Sequence, residues 1–436
     1  MQKKYITTIM ILLFAIAALI CYAQYSQNRQ PVLTIGVCAD SYWDVPAGES
    51  TALMEKAIKL FQSEHPHVQV RLITGIQKSD YHEWLAEKLL AGDEPDLYLV
   101  LADDFSTYAS IGALRDLTDL MEKDPDWSAE NYYPAVIKAC SHEGKYYALP
   151  LEAAPSLMFV NKTLLTRHHI QMPDNHWTWQ DFYDISRQIT TDTDGDGKPD
   201  AYGSYAYNWK DAALSNNVQL FSENHQQAYF NTPQLKSTLS FLIKLRELNQ
   251  GYEVSAKDFD LGRVAFRPLT FAEYRTYQPY PWRIKKYSAF DWDVVSFPVG
   301  PEGKAIANIY TMRMGISPRT RHPELAWKLL KTFSYRPEIQ LHVLDMSQGL
   351  PARGDILSTP EAEQLFNQTM RDDGNHIALS VINSIMSSTM PETNFLKYTG
   401  AILQADTCIQ KIISGTLPMD AALNQLQADI NAYLLQ

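Results

Sequence analysis

Hydrophobic residues near the start of the chain switch repeatedly between two spacings. Residues 32–39 form a short apolar, β-branched run that predicts a buried strand, and alternating or continuous apolar residues predict two more strands at 68–72 and 96–101. Between them, apolar positions recur every three or four residues, which predicts helices at about 53–61 and 81–91. Strands and helices that alternate in this order predict an α/β fold with a parallel, doubly wound sheet.

The same mixture of strand and helix spacing begins again after Pro150. The later predicted elements are strands at 157–160 and 292–297 and helices from Thr178 to about 189, from Pro323 to about 333 and from about 418 to 434. A chain of 436 residues is long for one hydrophobic core. The repeated pattern and the length together predict two domains.

The N-terminus has the order of charge and hydrophobicity that secretory signals share. Lys3 and Lys4 precede an apolar stretch from Tyr5 to Tyr22, and Cys21 to Ala23 offer a cleavage site. Two alternatives remain open: a lipoprotein signal acylated on Cys21, and an uncleaved anchor, because about 18 apolar residues are enough to span a bilayer. We therefore expect residues 1–23 to be a signal peptide or membrane anchor, and the remainder to lie outside the cytoplasmic membrane, secreted or anchored.

Composition narrows the classes of function. The chain has 38 Lys and Arg against 50 Asp and Glu, a net charge of −12, which argues against a nucleic-acid partner. Of the four cysteines, Cys21 lies in residues 1–23; the other three, Cys38, Cys140 and Cys408, are far apart and odd in number, so free thiols are expected rather than disulfides or a metal knuckle. The sequence contains no G-x-S-x-G, H-E-x-x-H or phosphate-binding glycine loop, and we expect no catalysis.

An acidic loop at residues 191–200, Thr-Asp-Thr-Asp-Gly-Asp-Gly-Lys-Pro-Asp, has the spacing of a calcium loop. The predicted ligands are Asp192, Asp194, Asp196, the Lys198 carbonyl and Asp200. Gly203 stands where such loops carry a bidentate glutamate, so the match is incomplete. The sequence predicts a structural Ca²⁺ ion here, with a plain Asp/Gly turn as the alternative.

Several segments, in order along the chain, resemble one known family. They are GALRDL at 112–117, GKYYALP at 144–150, TWQDF at 178–182, GRVAF at 262–266 and WDVVSFPVGPEG at 292–303. Together they resemble the family 1 extracellular solute-binding proteins, the maltose-binding-protein-like group.

The resemblance implies a two-lobed, type II periplasmic-binding-protein-like α/β fold, in which each lobe is a mostly parallel sheet flanked by helices and a cleft lies between the lobes. It places residues 32–152 and 298–345 in lobe 1, and residues 153–297 and 346–436 in lobe 2. It also implies a monomeric binding subunit of an ABC importer, which captures a mono- or oligosaccharide by hinge closure and delivers it to membrane permease subunits. A membrane-anchored sugar sensor that feeds a signalling kinase, and a binder of a non-sugar solute, remain alternatives.

Aromatic and acidic residues in the expected cleft loops are the candidate ligand contacts. Sugars present apolar faces to aromatic rings and hydroxyls to carboxylates, and ligands of α/β sheets bind beyond the carboxyl ends of strands. The candidates are Trp43, Asp44, Asp103, Asp104, Glu152, Tyr207, Trp209, Tyr274, Trp282, Tyr310 and Arg313, the last two expected just after a strand that returns to lobe 1. Other roles remain open: helix caps for Asp44 and Asp104, a hinge salt bridge for Glu152, and an acidic partner for Arg313.

Overall fold

A computed structural model describes residues 30–45, 51–276, 290–369 and 377–436. The predicted signal peptide or anchor at 1–23 lies outside these residues. Within the described part of the chain, no helix combines the length and the apolar character that crossing a membrane requires. The three cysteines at 38, 140 and 408 are free thiols, as predicted.

Helices and strands alternate along most of the chain. The strands are β1 Val32–Cys38, β2 Gln69–Ile76, β3 Leu97–Val100, β4 Ser141–His142, β5 Lys145–Tyr146, β6 Ala148–Asn161, β7 Tyr202–Ser204, β8 Val264–Thr270, β9 Trp292–Val295, β10 Ala307–Ile316, β11 Leu350–Pro351 and β12 Thr389–Pro391. The helices are α1 Ala52–Glu64, α2 Lys78–Ala91, α3 Ala102–Ser110, α4 Thr118–Glu122, α5 Pro134–Lys138, α6 Lys162–Arg167, α7 Trp179–Ile189, α8 Trp209–Ser215, α9 Pro233–Glu247, α10 Ala256–Asp260, α11 Phe271–Thr276, α12 Pro323–Ser334, α13 Pro337–Met346, α14 Gly354–Leu357, α15 Pro360–Thr369, α16 Leu379–Ser387, α17 Tyr398–Ile413 and α18 Met419–Leu435.

Local sequence signals explain several boundaries. The Thr178 hydroxyl accepts from the Asp181 amide while the Asp181 carboxylate accepts from the Thr178 amide, a capping box that starts α7. Pro323 occupies the first turn of α12, where its missing N–H costs nothing, and the apolar face of that helix is buried. The predicted strands and helices are confirmed to within a few residues at these places.

Ten of the described strands form one mixed sheet in the order β2-β1-β3-β10-β6-β8-β7, with β9 and β11 also on β6 and β12 on β10, and β4 pairs with β5 in a separate hairpin. β1 runs parallel to β2 and β3, and β7 runs parallel to β8. β10 is antiparallel to both β3 and β6, so the sheet is more mixed than the expected, mostly parallel arrangement. The α/β class with flanking helices is confirmed.

One long strand, β6, connects the two parts of the sheet. All 14 of its residues are buried. Residues 148–155 pair with β10, whereas residues 156–161 pair with β8 and β9. This strand contains residues 152 and 153, between which the resemblance places a boundary of the two lobes; the exact lobe boundaries stay a prediction.

The register brings distant segments to one edge of the sheet. Arg313 pairs with Val100 at the end of β3, so residues 310 and 311 of β10 extend beyond that end. β12 runs parallel to the start of β10, with Ile309 opposite Pro391, which places Glu392 directly beyond. Tyr310 and Arg313 therefore lie within a strand, not after one as expected. The loop after β1 and the start of α3 complete this edge.

Candidate functional site

A cavity of about 580 Å³ opens at this edge of the sheet. Its described lining residues are Tyr42, Trp43, Asp44, Lys78, His82, Leu101, Ala102, Asp103, Asp104, Thr270, Tyr310, Thr311 and Glu392. In the predicted boundaries, Thr270 and Glu392 belong to lobe 2 and the others to lobe 1. Five predicted contacts, Trp43, Asp44, Asp103, Asp104 and Tyr310, are brought together here.

Tyr42 and Trp43 form an aromatic corner of the cavity that is fixed by polar contacts. Their rings meet edge to face at 5.1 Å, and the Tyr42 hydroxyl donates to the Thr311 carbonyl at 3.2 Å. Lys78 Nζ donates to the Tyr42 carbonyl and to Asp44 Oδ2, both at 2.6 Å. The corner therefore presents ring faces without depending on a ligand to order it.

Asp103 and Asp104 are neighbours in sequence but differ in environment. In the first turn of α3, Asp103 is exposed and Asp104 is buried. Asp104 Oδ1 lies 2.6 Å from His82 Nδ1. Burial nevertheless raises the pKa of the Asp104 carboxyl, against the effect of His82. Asp104 is thus engaged within the cavity wall, while Asp103 is available to a ligand.

Glu392 is a carboxyl group of the cavity wall that the sequence analysis missed. It is half-buried in the cavity wall, and burial raises the pKa of its carboxyl to about 7, against the attraction of Arg313 and with the repulsion of Asp103. A carboxylate held partly out of water and close to another acid gains from donors supplied by a ligand. No periodic pattern in the sequence indicated Glu392, because the strand that precedes it, β12, has three residues and is too short to show an alternation.

Arg313 lies behind the cavity wall. It is buried, and it donates to the carbonyls of Ala139 at 2.5 Å and Thr311 at 3.4 Å. Its guanidinium carbon lies 4.9 Å from the centre of the Phe105 ring. Because its contacts are with backbone carbonyls and an aromatic ring, Arg313 has a structural role next to the cavity.

Glu152 lies beneath Trp43. Its side chain is buried on β6, and Glu152 Oε2 accepts from Trp43 Nε1 at 3.1 Å and from the Ser347 hydroxyl. Burial raises the pKa of this carboxyl, and these hydrogen bonds oppose the rise. It is therefore one layer removed from the described lining of the cavity.

Tyr207 and Trp209 are packed in the core around α8. The Tyr207 hydroxyl lies 2.9 Å from the Ser215 hydroxyl and is buried. Trp209 Nε1 donates to Asp406 Oδ1 at 2.7 Å, and its ring is buried. Neither belongs to the described cavity lining, so their role in ligand binding stays a prediction without a contact to support it.

Tyr274 is also enclosed by the protein. Its buried ring packs edge to face against Trp292 at 5.1 Å. Trp282 lies outside the described residues. The remaining lining residues that were not among the predicted contacts are Tyr42, Lys78, His82, Leu101, Ala102, Thr270 and Thr311. Lys78 and His82 lie one helical turn apart on α2. Their spacing does not show that this face of the helix lines the cavity, which depends on the fold.

The acidic loop brings three of its four aspartates together. Carboxylate oxygens of Asp192, Asp194 and Asp200 lie within 4.8 Å of one another, and all three side chains are exposed. The Asp196 carboxylate instead accepts from the Lys198 amide at 2.8 Å. Hydrogen bonds from Thr193 lower the pKa of Asp200, which favours the ionised form of this carboxylate.

The absence of a glutamate at position 203 of the acidic loop has a steric reason. Gly203 packs directly on α7, and a Cβ at this position would lie 2.2 Å from Cβ of Ser186. The Gly203 amide donates to the Thr190 hydroxyl at 3.0 Å. No side chain fits at residue 203, so any cation here relies on the three clustered carboxylates, carbonyls and water.

Comparisons with known proteins agree with the fold. A family profile described as bacterial extracellular solute-binding protein matches residues 46–340, more than half of the chain. A maltotriose-binding protein of Pyrococcus abyssi (strain GE5 / Orsay) is 23% identical over an alignment of 301 residues that covers 65% of this chain and 60% of that relative's length. The chain thus spans less than two thirds of this curated relative.

Solved structures share the fold at low sequence identity. The cyclic α-maltosyl-1,6-maltose binding protein of Arthrobacter globiformis superposes with a TM-score of 0.75 at 17% identity, covering 93% of this chain and 99% of that one. An ABC substrate-binding protein of Listeria monocytogenes in complex with cycloalternan gives 0.70 at 18% identity, with the same coverage. With the family profile, these findings identify the chain as a member of the bacterial extracellular solute-binding protein family.

Proposed function

We propose that this protein is the extracytoplasmic binding subunit of an ABC importer and that it captures a saccharide in the cavity at the sheet edge. The observation that carries the proposal is the composition of the cavity wall. The rings of Tyr42, Trp43 and Tyr310 stand beside the carboxylates of Asp103 and Glu392. Flat rings suit the apolar faces of sugars, and ionised carboxylates accept from their hydroxyls.

The relatives support the saccharide class. The Pyrococcus relative is described as binding maltotriose, and the two structures as binding a cyclic maltosyl-maltose and cycloalternan. A cavity of about 580 Å³ has room for a small oligosaccharide. Family members are solute-binding proteins, which agrees with the sequence expectation of no catalysis.

Transport by hinge closure is the mechanism we propose. The cavity wall is contributed by residues that the predicted boundaries divide between the lobes, so a ligand that touches both sides favours a closed arrangement. Permease subunits would then recognise the closed form. Residues 1–23 are proposed to serve as the signal peptide or anchor that places the protein outside the membrane.

We propose in addition that loop 192–200 binds a structural Ca²⁺ ion. Oxygens 4.8 Å apart or less can share one calcium ion, whose oxygen ligands lie at about 2.4 Å. Because no bidentate glutamate completes the shell, weak binding is expected.

Isothermal titration of the purified protein with maltotriose and a panel of mono- and oligosaccharides tests the saccharide assignment. We expect binding by one of these sugars, weakened about thirty-fold in Trp43→Ala, because a desolvated aromatic contact contributes about 2 kcal/mol. Asp103→Asn should weaken it by roughly five-fold, the cost of a hydrogen bond to a charged acceptor at an exposed position.

The panel also includes amino acids, peptides and polyamines. Binding of one of these instead of any sugar would contradict the saccharide class and leave solute capture intact. Turnover of a bound glycan would contradict the assignment as a binding protein.

A further inference from the structure

Trp43, the ring with the largest face in the cavity wall, is connected to the protein interior through its indole nitrogen. The ring is half-buried, and its N–H donates to Glu152 Oε2 at 3.1 Å. The backbone amide of Trp43 donates to the Ser41 hydroxyl at 3.1 Å. The indole ring therefore has one orientation that keeps both its hydrogen bond to Glu152 and its edge-to-face contact with Tyr42.

Glu152 is placed to receive that hydrogen bond and cannot easily move away. It is 5% exposed and belongs to β6, the strand shared by both parts of the sheet. The same oxygen, Oε2, accepts from the Ser347 hydroxyl. A buried acceptor that loses its donors is costly, so Trp43 and Ser347 hold this carboxylate together.

The segment 347–349 fits closely against both side chains. A Cβ at Gly349 would lie 2.6 Å from Glu152 Oε2 and 3.1 Å from Cζ2 of Trp43. Only a glycine therefore allows this backbone to approach the pair. The segment follows α13, which packs on α1 and α12, and it leads into β11 beside Glu152 on β6.

Arg275 holds the same segment from the other side. Its side chain is 1% exposed and extends from α11, the helix that follows β8. It donates to the carbonyls of Leu344 at 2.6 Å and Gly349 at 3.3 Å, and also to that of Ser347. A cation at these carbonyls satisfies the C-terminal end of α13. Segment 347–349 is thus fixed between Glu152 and Arg275.

We propose that Glu152 is a positioning residue: it orients the Trp43 ring for the ligand and couples that ring, through Ser347, to the segment that Arg275 holds between the predicted lobes. This rests on the proposed function, because it assumes that the cavity binds a saccharide. Glu152 acts through Trp43 and not by touching the ligand. Ligand contact with the ring and the arrangement of the segment between the lobes then favour each other.

Maltotriose affinity in four variants tests the proposal. Trp43→Phe keeps a flat ring but loses the N–H, and we expect about ten-fold weaker binding, as for a lost hydrogen bond to a charged acceptor. Glu152→Leu should weaken binding about ten-fold too, whereas Glu152→Gln, whose amide oxygen can accept from both donors, should stay within about three-fold of the parent. In the double variant Trp43→Phe/Glu152→Leu the two losses should not add.

Labelling with 5-fluorotryptophan gives a readout that a merely structural role would not move. The nine tryptophans give separate ¹⁹F signals, and the one missing in Trp43→Phe belongs to Trp43. That signal should shift in Glu152→Leu and in Ser347→Ala before any ligand is added, and return toward the parent position in Glu152→Gln. Trp127→Phe is the matched control, since Trp127 packs against Tyr132 and Trp327 outside the described cavity lining.

The outcomes separate the two proposals. If the parent protein binds maltotriose or another sugar of the panel, but Glu152→Leu binds it equally well or the double variant shows additive losses, the positioning role is wrong and the proposed function stands. If the parent binds no saccharide, the proposed function is wrong and the positioning role falls with it. A Trp43 signal that is unmoved in both Glu152→Leu and Ser347→Ala also overturns the positioning role.

Discussion

Two acidic regions of this protein, the cavity and loop 192–200, place carboxylate side chains in opposite environments. In the cavity, burial raises the pKa of Asp104 and brings that of Glu392 to about 7. In loop 192–200 the clustered aspartates are exposed, and hydrogen bonds from Thr193 lower the pKa of Asp200. Carboxylates near aromatic rings and partly out of water suit hydroxyl donors, whereas clustered, exposed carboxylates suit a hard cation.

The two regions also differ in how they are assembled. The loop is built within nine residues by local turns, such as the Gly195 and Gly197 amides donating to Asp192 at 2.7 and 2.8 Å. The cavity combines residues from 42 to 392, which only the sheet brings together. A change in the loop should therefore stay local, while a change in the cavity should alter both binding and stability.

The largest effect is expected for Glu392→Gln. In water a glutamate titrates near 4.5, so the raised pKa of Glu392 means that the folded state holds this proton more tightly than the unfolded state. The stability that the protonated Glu392 carboxyl contributes is fully present below about pH 4.5. It is lost as the pH rises through about 7. The variant avoids that loss, and above pH 7 its free energy of unfolding should exceed that of the parent by on the order of 1–2 kcal/mol.

Sugar binding should move in the opposite direction in the same variant. An ionised acceptor is lost, so the affinity for the bound sugar at pH 8 should fall about ten-fold, and the parent should lose affinity as pH drops below about 7 while the variant does not. Thermal melts and titrations at pH 5.5 and 8 measure both. Glu302→Gln, on an exposed turn, is the control. A variant that is less stable than the parent at pH 8 would contradict the assigned environment of Glu392.

A smaller effect is expected in the loop. Millimolar calcium should raise the melting temperature of the parent by about 2–5 °C, because a ligand of the folded state stabilises it by mass action. Asp194→Asn should abolish most of this shift and leave sugar affinity unchanged. Asp196→Asn should retain it, since the Asp196 carboxylate is outside the cluster. Equal loss in both variants would point to a ligand set other than the three clustered carboxylates.

The smallest effect on binding is expected for Trp209→Phe. The change removes the hydrogen bond to Asp406 in the core and should lower the free energy of unfolding by about 1 kcal/mol. Sugar affinity should remain within about two-fold, because the ring is buried outside the described cavity lining. A ten-fold loss of affinity would return Trp209 to the ligand contacts that the sequence predicted.

The sequence carried enough information for most elements and for part of the site. The strand at Val32–Cys38 and the helices at Trp179–Ile189 and Pro323–Ser334 follow from apolar spacing and caps. Trp43 and Asp103 were predicted because strand ends mark ligand sites in α/β sheets. These signals are local, and they remain visible without knowledge of the fold.

The parts that were missed depend on long-range pairing. Glu392 reaches the cavity because β12 adds to β10, a contact between residues 389–391 and 307–309 that no spacing encodes. Tyr207 and Tyr274 were predicted as ligand contacts because they are aromatic, but their rings are buried in the core. Aromatic residues serve both roles equally well, so only their position in the fold separates them.

The place of β10 in the sheet has a consequence for how this chain acquires its structure. β10 separates β3 from β6, although it is made about two hundred residues after β3. The sheet around β1 and β3 therefore lacks a central neighbour until most of the chain has been synthesised. Such non-local pairing slows folding. A polypeptide that completes this sheet so late leaves the edge of β3 unpaired for longer, and an unpaired strand edge is a site where another chain can add.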